Sequence, residues 1–181
     1  MILSGNLIQD YVLNPQIGSN YFILIYPYIG HQLNPNSYNL KLHNKLLVYD
    51  WCHGSPVDIK KKNKTKEIEI PKEGYTLNPN ELYLGRTVEY TKTFGFVPML
   101  EGRSSLARYG LSIHATAGFG DNGFCGYWTL EITCKIPITI YPFIEICQIY
   151  YHTIEGNLIE YNGKYQDNDS IQESLMWKEF E

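Results

Sequence analysis

The sequence predicts an all-β protein of barrel or jelly-roll type with only short helices, and three observations carry that expectation. Tyrosine, with 16 copies, dominates an aromatic content of 14%, and Tyr favours a pleated surface over a helical one. Hydrophobic residues come in short extended runs bounded by Pro, Gly and Asn. Past the first dozen residues, no stretch sustains a 3.6-residue period, which suits a fold closed from many short strands.

The elements follow in chain order. Leu7, Ile8, Tyr11 and Val12 fall on one face of a short N-terminal helix. From Ser37 to Tyr49 the chain alternates, with Tyr38, Leu40 and Leu42 on one face and Asn39, Lys41 and His43 on the other. The run KKKNKTK at 60–66 reads as a solvated loop or strand edge, where charge deters edge-to-edge pairing. Asn78-Pro79-Asn80 and Gly95 mark turns, and four apolar runs follow between Leu111 and Tyr151. With no repeat or linker, residues 1–181 read as one domain, and the polar stretch 162–181 reads as a tail that must dock to be ordered.

Composition removes several function classes. A formal net charge of −4 argues against a nucleic-acid binder, which needs a basic face, but leaves room for a small anion. Met1 to Asp10 has no basic segment leading into an apolar one, so no signal peptide is expected, and no apolar run is long enough to span a membrane. Cys52, Cys125, Cys134 and Cys147 show neither CxxC nor zinc-ligand spacing. They are expected to be free thiols of a cytoplasmic protein.

Two segments carry chemistry. The first, EGRSSLARYGL at 101–111, offers two guanidinium forks, Arg103 and Arg108, and the hydroxyls of Ser104 and Ser105. That density of donors suits a triphosphate, although a capped surface helix would look similar. The second, HATAGFGDNGFCGYWTLE at 114–131, joins a glycine-rich turn bearing Asp121 to a strand. Trp128, Leu130 and Ile132 take one face of that strand and leave Thr129 and Glu131 on the other. An acid there is usually solvent-facing; facing a pocket, it suits general-base work.

These segments resemble the dCTP deaminase family, a branch of the dUTPase superfamily. The likeness also takes in Ser37-Tyr38-Asn39-Leu40, Leu77 to Glu81, Pro137 to Gln148 and Gly163-Lys164-Tyr165-Gln166, in the family's order. It implies a distorted jelly roll of the dUTPase-like (β-clip) type and a homotrimer with sites between subunits. It implies dCTP as substrate and dTTP as an inhibitor, with magnesium on the triphosphate and no zinc. By the same resemblance Glu131 is the general base. Arg103, Ser104, Ser105, Leu106, Ala107 and Arg108 form the triphosphate segment, with Ser104 and Arg108 reaching the catalytic water. Asp121 meets the deoxyribose, and Thr129 and Leu130 read the pyrimidine. Gln148 and Lys164 contact phosphate, and Tyr161 and Asn168 complete the substrate contacts.

The chemistry needs one proton shuttle. Water adding to C4 loses a proton and departing ammonia gains one, and a carboxylate facing C4 and N3 serves both, with Arg108 favouring its ionised form. The H-x-E and P-C-x-x-C signatures of zinc deaminases do not occur.

The chain also departs from the family pattern. Asn39 stands for an Asp, Gly120 and Asn122 replace bulkier or stiffer residues, and Phe143 and Cys147 stand for glycines. Phe143 is expected to rearrange its turn, because Phe tolerates positive φ poorly. Asp167 and Asn168 are expected to loosen closure of the tail. The expected product is therefore dUTP, since cutting the α–β phosphate bond needs a closed site. The alternatives are a two-step enzyme forming dUMP, which TAGF at 116–119 resembles, a dUTPase, or a regulator without turnover.

Overall fold

The computed structural model describes residues 1–15, 20–50 and 56–181. Helix α1 (Gly5–Leu13) is capped by the Ser4 hydroxyl, which accepts from the Leu7 amide at 3.4 Å. Ile8 and Val12 enter the core, but Leu7, expected beside them, is exposed. Leu7 lies about 100° around the helix from Ile8, at the margin of the face that Ile8 and Val12 bury.

The strands are β1 (Phe22–Tyr26), β2 (Tyr38–Lys41), β3 (Lys45–Tyr49), β4 (Thr65–Glu69), β5 (Tyr75–Leu77), β6 (Tyr83–Phe94) and β7 (Phe96–Gly102). After helix α2 (Ser104–Ala107) come β8 (Leu111–Ser112), β9 (Cys125–Cys134), β10 (Ile138–Ile140) and β11 (Glu145–Thr153). All of the named strand pairs are antiparallel. One sheet has six strands, in the order β4-β3-β6-β9-β8 with β1 also on β6. A second runs β2-β11-β7, and a third pairs β10 with β5. This is the expected all-β architecture with short helices.

The alternating run from Ser37 to Tyr49 is split between sheets, with β2 in the second and β3 in the first. Its inward set survives the split: Tyr38, Leu40 and Leu42 are fully buried, alongside Ile23, Leu46, Tyr83, Leu130, Ile132 and Ile149. The cationic run ends on β4, at the open edge of the large sheet, where Lys45 pairs with Glu67 at 2.8 Å. Lys62 sits 4.0 Å from Glu173, and Lys60 lies over the Phe180 ring. Charge at this edge thus also meets the end of the tail.

Phe143 does not rearrange its turn. It holds φ at 63°, its amide donates to the Leu42 carbonyl at 2.8 Å, and the Leu42 amide donates to the Ile144 carbonyl at 2.9 Å. Two main-chain bonds thus hold a left-handed conformation that costs a non-glycine residue about 1–2 kcal/mol. Cys125, Cys134 and Cys147 are buried free thiols; Cys52 lies outside the described residues. Among the described residues, no helix is long and apolar enough to cross a membrane.

Candidate active site

Strand β9 carries the candidate base, Glu131. Trp128, Leu130 and Ile132 point into the core. The Trp128 indole donates to the Thr91 hydroxyl at 2.8 Å, and its amide donates to the Thr87 hydroxyl at 3.1 Å. With that face locked, Thr129 and Glu131 face a cavity of about 510 Å³, within the roughly 300–1,000 Å³ of small-molecule sites. Phe119, Phe124, Tyr127 and Trp128 give the cavity aromatic walls, Leu82 and Leu84 line another side, and Asp121 stands at its exposed edge.

The loop leading into β9 explains two departures from the family pattern. A Cβ at Gly120 would meet the Trp128 ring at 2.3 Å and the Pro98 carbonyl oxygen at 2.9 Å, so the wall leaves no room for a side chain. Asn122 is buried and works as a clamp. Its Oδ1 accepts from the Gly95 amide at 2.6 Å, and its Nδ2 donates to the Ile159 carbonyl at 2.8 Å.

The tail docks along the same strand. Asn168 Nδ2 donates to the Tyr127 carbonyl at 2.8 Å, and the Tyr127 amide donates to the Asn168 carbonyl at 2.9 Å. The Gln172 amide reaches the Thr129 hydroxyl at 3.1 Å, and the Ser174 amide reaches the Tyr49 hydroxyl at 3.0 Å. Gly126, at φ 144°, lies so close that a Cβ there would meet the Asn168 amide nitrogen at 2.8 Å. Asp167 takes the tight turn at φ 57°. Asp167 and Asn168 were expected to loosen closure of the tail; here they make the turn and the bonds that dock it on β9. Tyr161, Tyr165, Asn168, Gln172 and Glu173 all line the cavity.

Burial raises the Glu131 pKa, with the charge of His114 and a main-chain hydrogen bond pulling the other way. Within the chain the electrostatic contribution that opposes burial at Glu131 comes from His114, not from Arg108 as expected. If Glu131 acts as a base, it must be ionised to do so, and its folded pKa lies above the ordinary glutamate value of about 4.3. Activity should fall as pH drops through that raised value. A pH profile of kcat/KM is expected to show its acid limb above the ordinary carboxylate range. A limb at or below that range would assign it to another group.

The phosphate-binding candidates sit elsewhere in the chain. Ser104, Ser105, Ala107 and Arg108 are exposed on α2, Leu106 packs partly against the core, and no residue from 103 to 108 lines the cavity. Arg103 Nη1 donates to the Glu145 carbonyl at 3.0 Å and lies 3.1 Å from Glu145 Oε2. Gln148 Nε2 donates to the Gly102 carbonyl at 3.2 Å, and its Oε1 accepts from the Ser37 hydroxyl at 2.7 Å. Lys164 pairs with Glu179 and does not line the cavity. One chain thus gathers Asp121, Thr129, Glu131, Tyr161 and Asn168 around one cavity and keeps Arg103–Arg108, Gln148 and Lys164 apart from it. Leu130 turns its side chain into the core. The local sequence gave no signal for Tyr49, Leu82 or Gln172, which reach the cavity from distant parts of the chain.

A family model described as dCTP deaminase-like matches residues 2–154. The chain belongs to the dCTP deaminase-like family. A relative from Hathewaya histolytica is 58% identical over 182 aligned residues, covering 100% of both chains. One from Cytophaga hutchinsonii is 57% identical, covering 100% of this chain and 99% of the relative. Both are named "dCTP deaminase, dUMP-forming". A crystal structure of 2′-deoxycytidine 5′-triphosphate deaminase from Agrobacterium tumefaciens shares the fold, with a TM-score of 0.63 at 18% identity. The match covers 84% of this chain, which spans 48% of the length of that one.

These relatives overturn dUTP as the expected product of this dCTP deaminase-like chain. The expectation rested on a loosened tail, and the tail is docked.

Proposed function

We propose that the chain hydrolyses dCTP in two steps, removing the 4-amino group as ammonia and then releasing pyrophosphate to leave dUMP. The observation that carries this reading is Glu131, a carboxylate with a raised pKa set into the wall of an aromatic-lined cavity. Relatives named for dUMP formation match the chain over its whole length.

In the first step Glu131 takes a proton from a water aimed at C4 and passes it to N3. As the C4–N4 bond breaks, the second water proton goes to the departing amine. The aromatic walls exclude bulk water and flank the pyrimidine, and Asp121 at the cavity edge meets the deoxyribose. Thr129 and Leu130 present the main chain beside the base. In the second step another water attacks the α-phosphorus, and pyrophosphate leaves with the bridging oxygen. Magnesium enters as part of the substrate, bound to phosphate oxygens as a hard cation prefers. Among the described residues, no cluster of three or more His, Cys, Asp or Glu is placed to hold a metal ion.

The triphosphate belongs with Arg103, Ser104, Ser105 and Arg108, which lie outside the cavity of their own chain. We therefore take the working unit to be a homotrimer in which each site joins the cavity of one subunit to the 103–108 segment of the next. Release of Lys164 from Glu179 would add a cation to the phosphates. dTTP shares the deoxyribose and the triphosphate, and so competes for the same groups. Incubation with dCTP and magnesium, followed by product separation, is expected to give ammonia, pyrophosphate and dUMP in equal amounts with no accumulating dUTP. Free dUTP as the end product would overturn the second step.

A further inference from the structure

The bulge at the start of β11 holds a polar cluster that the proposed chemistry leaves unused. Register between β11 and β2 shifts between Glu145 and Cys147, and such bulges re-aim side chains beside functional sites. Glu145, partly buried there, meets three elements. Its Oε2 accepts from Asn39 Nδ2 of β2 at 2.8 Å and lies 3.1 Å from Arg103 Nη1, at the end of β7. Its main-chain oxygen accepts from the same Nη1 at 3.0 Å, and its Oε1 faces the exposed His31 at 3.8 Å.

Asn39 is itself fixed, because its Oδ1 accepts from Asn34 Nδ2 at 2.8 Å, which turns its own amide group toward Glu145. The departure from the expected Asp at position 39 then has a physical cause. A carboxylate there would face the Glu145 carboxylate at hydrogen-bond distance, buried and repelled. The hydrogen bonds described for Arg103 all run from Nη1, which leaves the Nη2 and Nε edge of the fork to meet an anion.

We infer that Glu145 is a positioning residue: it anchors one nitrogen of Arg103 and so aims the other edge of the guanidinium at the nucleotide phosphates, with Asn39 holding the carboxylate in place. This rests on the proposed function, which gives Arg103 to the triphosphate. The anchoring is a matter of geometry, since Arg103 remains charged without it. Removing Glu145 therefore frees the side chain to wander and weakens binding of dCTP more than the chemical step.

The test is steady-state kinetics of dCTP deamination on the intact oligomer. Glu145→Ala is expected to raise KM by about tenfold with kcat within about threefold of wild type, the size of one lost charge-assisted bond. Asn39→Asp should raise KM comparably through repulsion. Combining it with Glu145→Gln should relieve the repulsion without restoring KM, because an amide nitrogen that donates to the new carboxylate at position 39 takes the place of the Oε2 that Arg103 Nη1 faces. In an Arg103→Ala background, Glu145→Ala should add nothing further. A merely structural role would lower kcat and thermal stability together.

Wild-type KM in Glu145→Ala, while Arg103→Ala raises it, would overturn the positioning role and leave the proposed function standing. A fall in KM would show Glu145 competing with phosphate for the fork, and would overturn it equally. If the wild-type chain neither binds nor turns over dCTP, the proposed function fails, and this inference fails with it.

Discussion

Glu131→Gln is expected to stop ammonia release from dCTP while the chain still folds and binds the nucleotide. Gln keeps the shape and reach of Glu, so the wall of the cavity and the packing of Trp128, Leu130 and Ile132 behind it are undisturbed. It cannot take a proton from water at neutral pH, nor return one to the ring or to the leaving amine. General acid–base groups contribute about 10²–10⁴-fold, and one group serving both transfers belongs at the upper end. Were Glu131 only a solvent-facing strand residue, its replacement would change stability by about 0.5 kcal/mol or less and leave the rate alone. Ammonia release by the purified variant decides between them. A rate within about tenfold of wild type would move the base elsewhere, and Asp121, on the same cavity, is the first residue to test next.

Arg108→Ala is expected to be nearly as damaging, although Arg108 is exposed and lines no part of its own chain's cavity. If sites form between subunits, two inactive variants should repair each other. Arg108→Ala and Glu131→Gln trimers, dissociated together and reassembled, should recover roughly a quarter of wild-type activity, because each site draws on two randomly chosen subunits. A mixture that stays as inactive as its parts, although the subunits have exchanged, would place Arg108 and Glu131 in the same chain's site or remove Arg108 from the site altogether.

Much of this could be read from residue order because the signals are local. Alternation along 125–134 separates Trp128, Leu130 and Ile132 from Thr129 and Glu131, since successive side chains of a strand take opposite faces. The same rule buried Tyr38, Leu40 and Leu42 correctly even though β2 and β3 join different sheets. What depended on distant residues was not legible. Gly120 and Asn122 looked like losses, yet one makes way for the Trp128 ring and the other bonds to Gly95 and Ile159. Asn39 looked like a missing charge until Glu145, 106 positions away, came to stand beside it. The tail was misjudged for the same reason. Its turn and its bonds are made with Tyr127 and Thr129, and nothing near Asp167 in the sequence announces them.

That docking sets a clock. The tail is held to β9 partly through the main chain, where the Tyr127 amide donates to the Asn168 carbonyl, and partly through the Asn168 side-chain amide, which donates to the Tyr127 carbonyl. Side chains flip between rotamers in picoseconds to nanoseconds, but stripping a segment of backbone off a strand is a local unfolding event, on the scale of microseconds to seconds. Anything that enters or leaves by this edge of the cavity waits for that slower event. Under the proposed two-step reaction, a deaminated intermediate in the cavity would be detained behind that segment, and its residence time would favour the second cut.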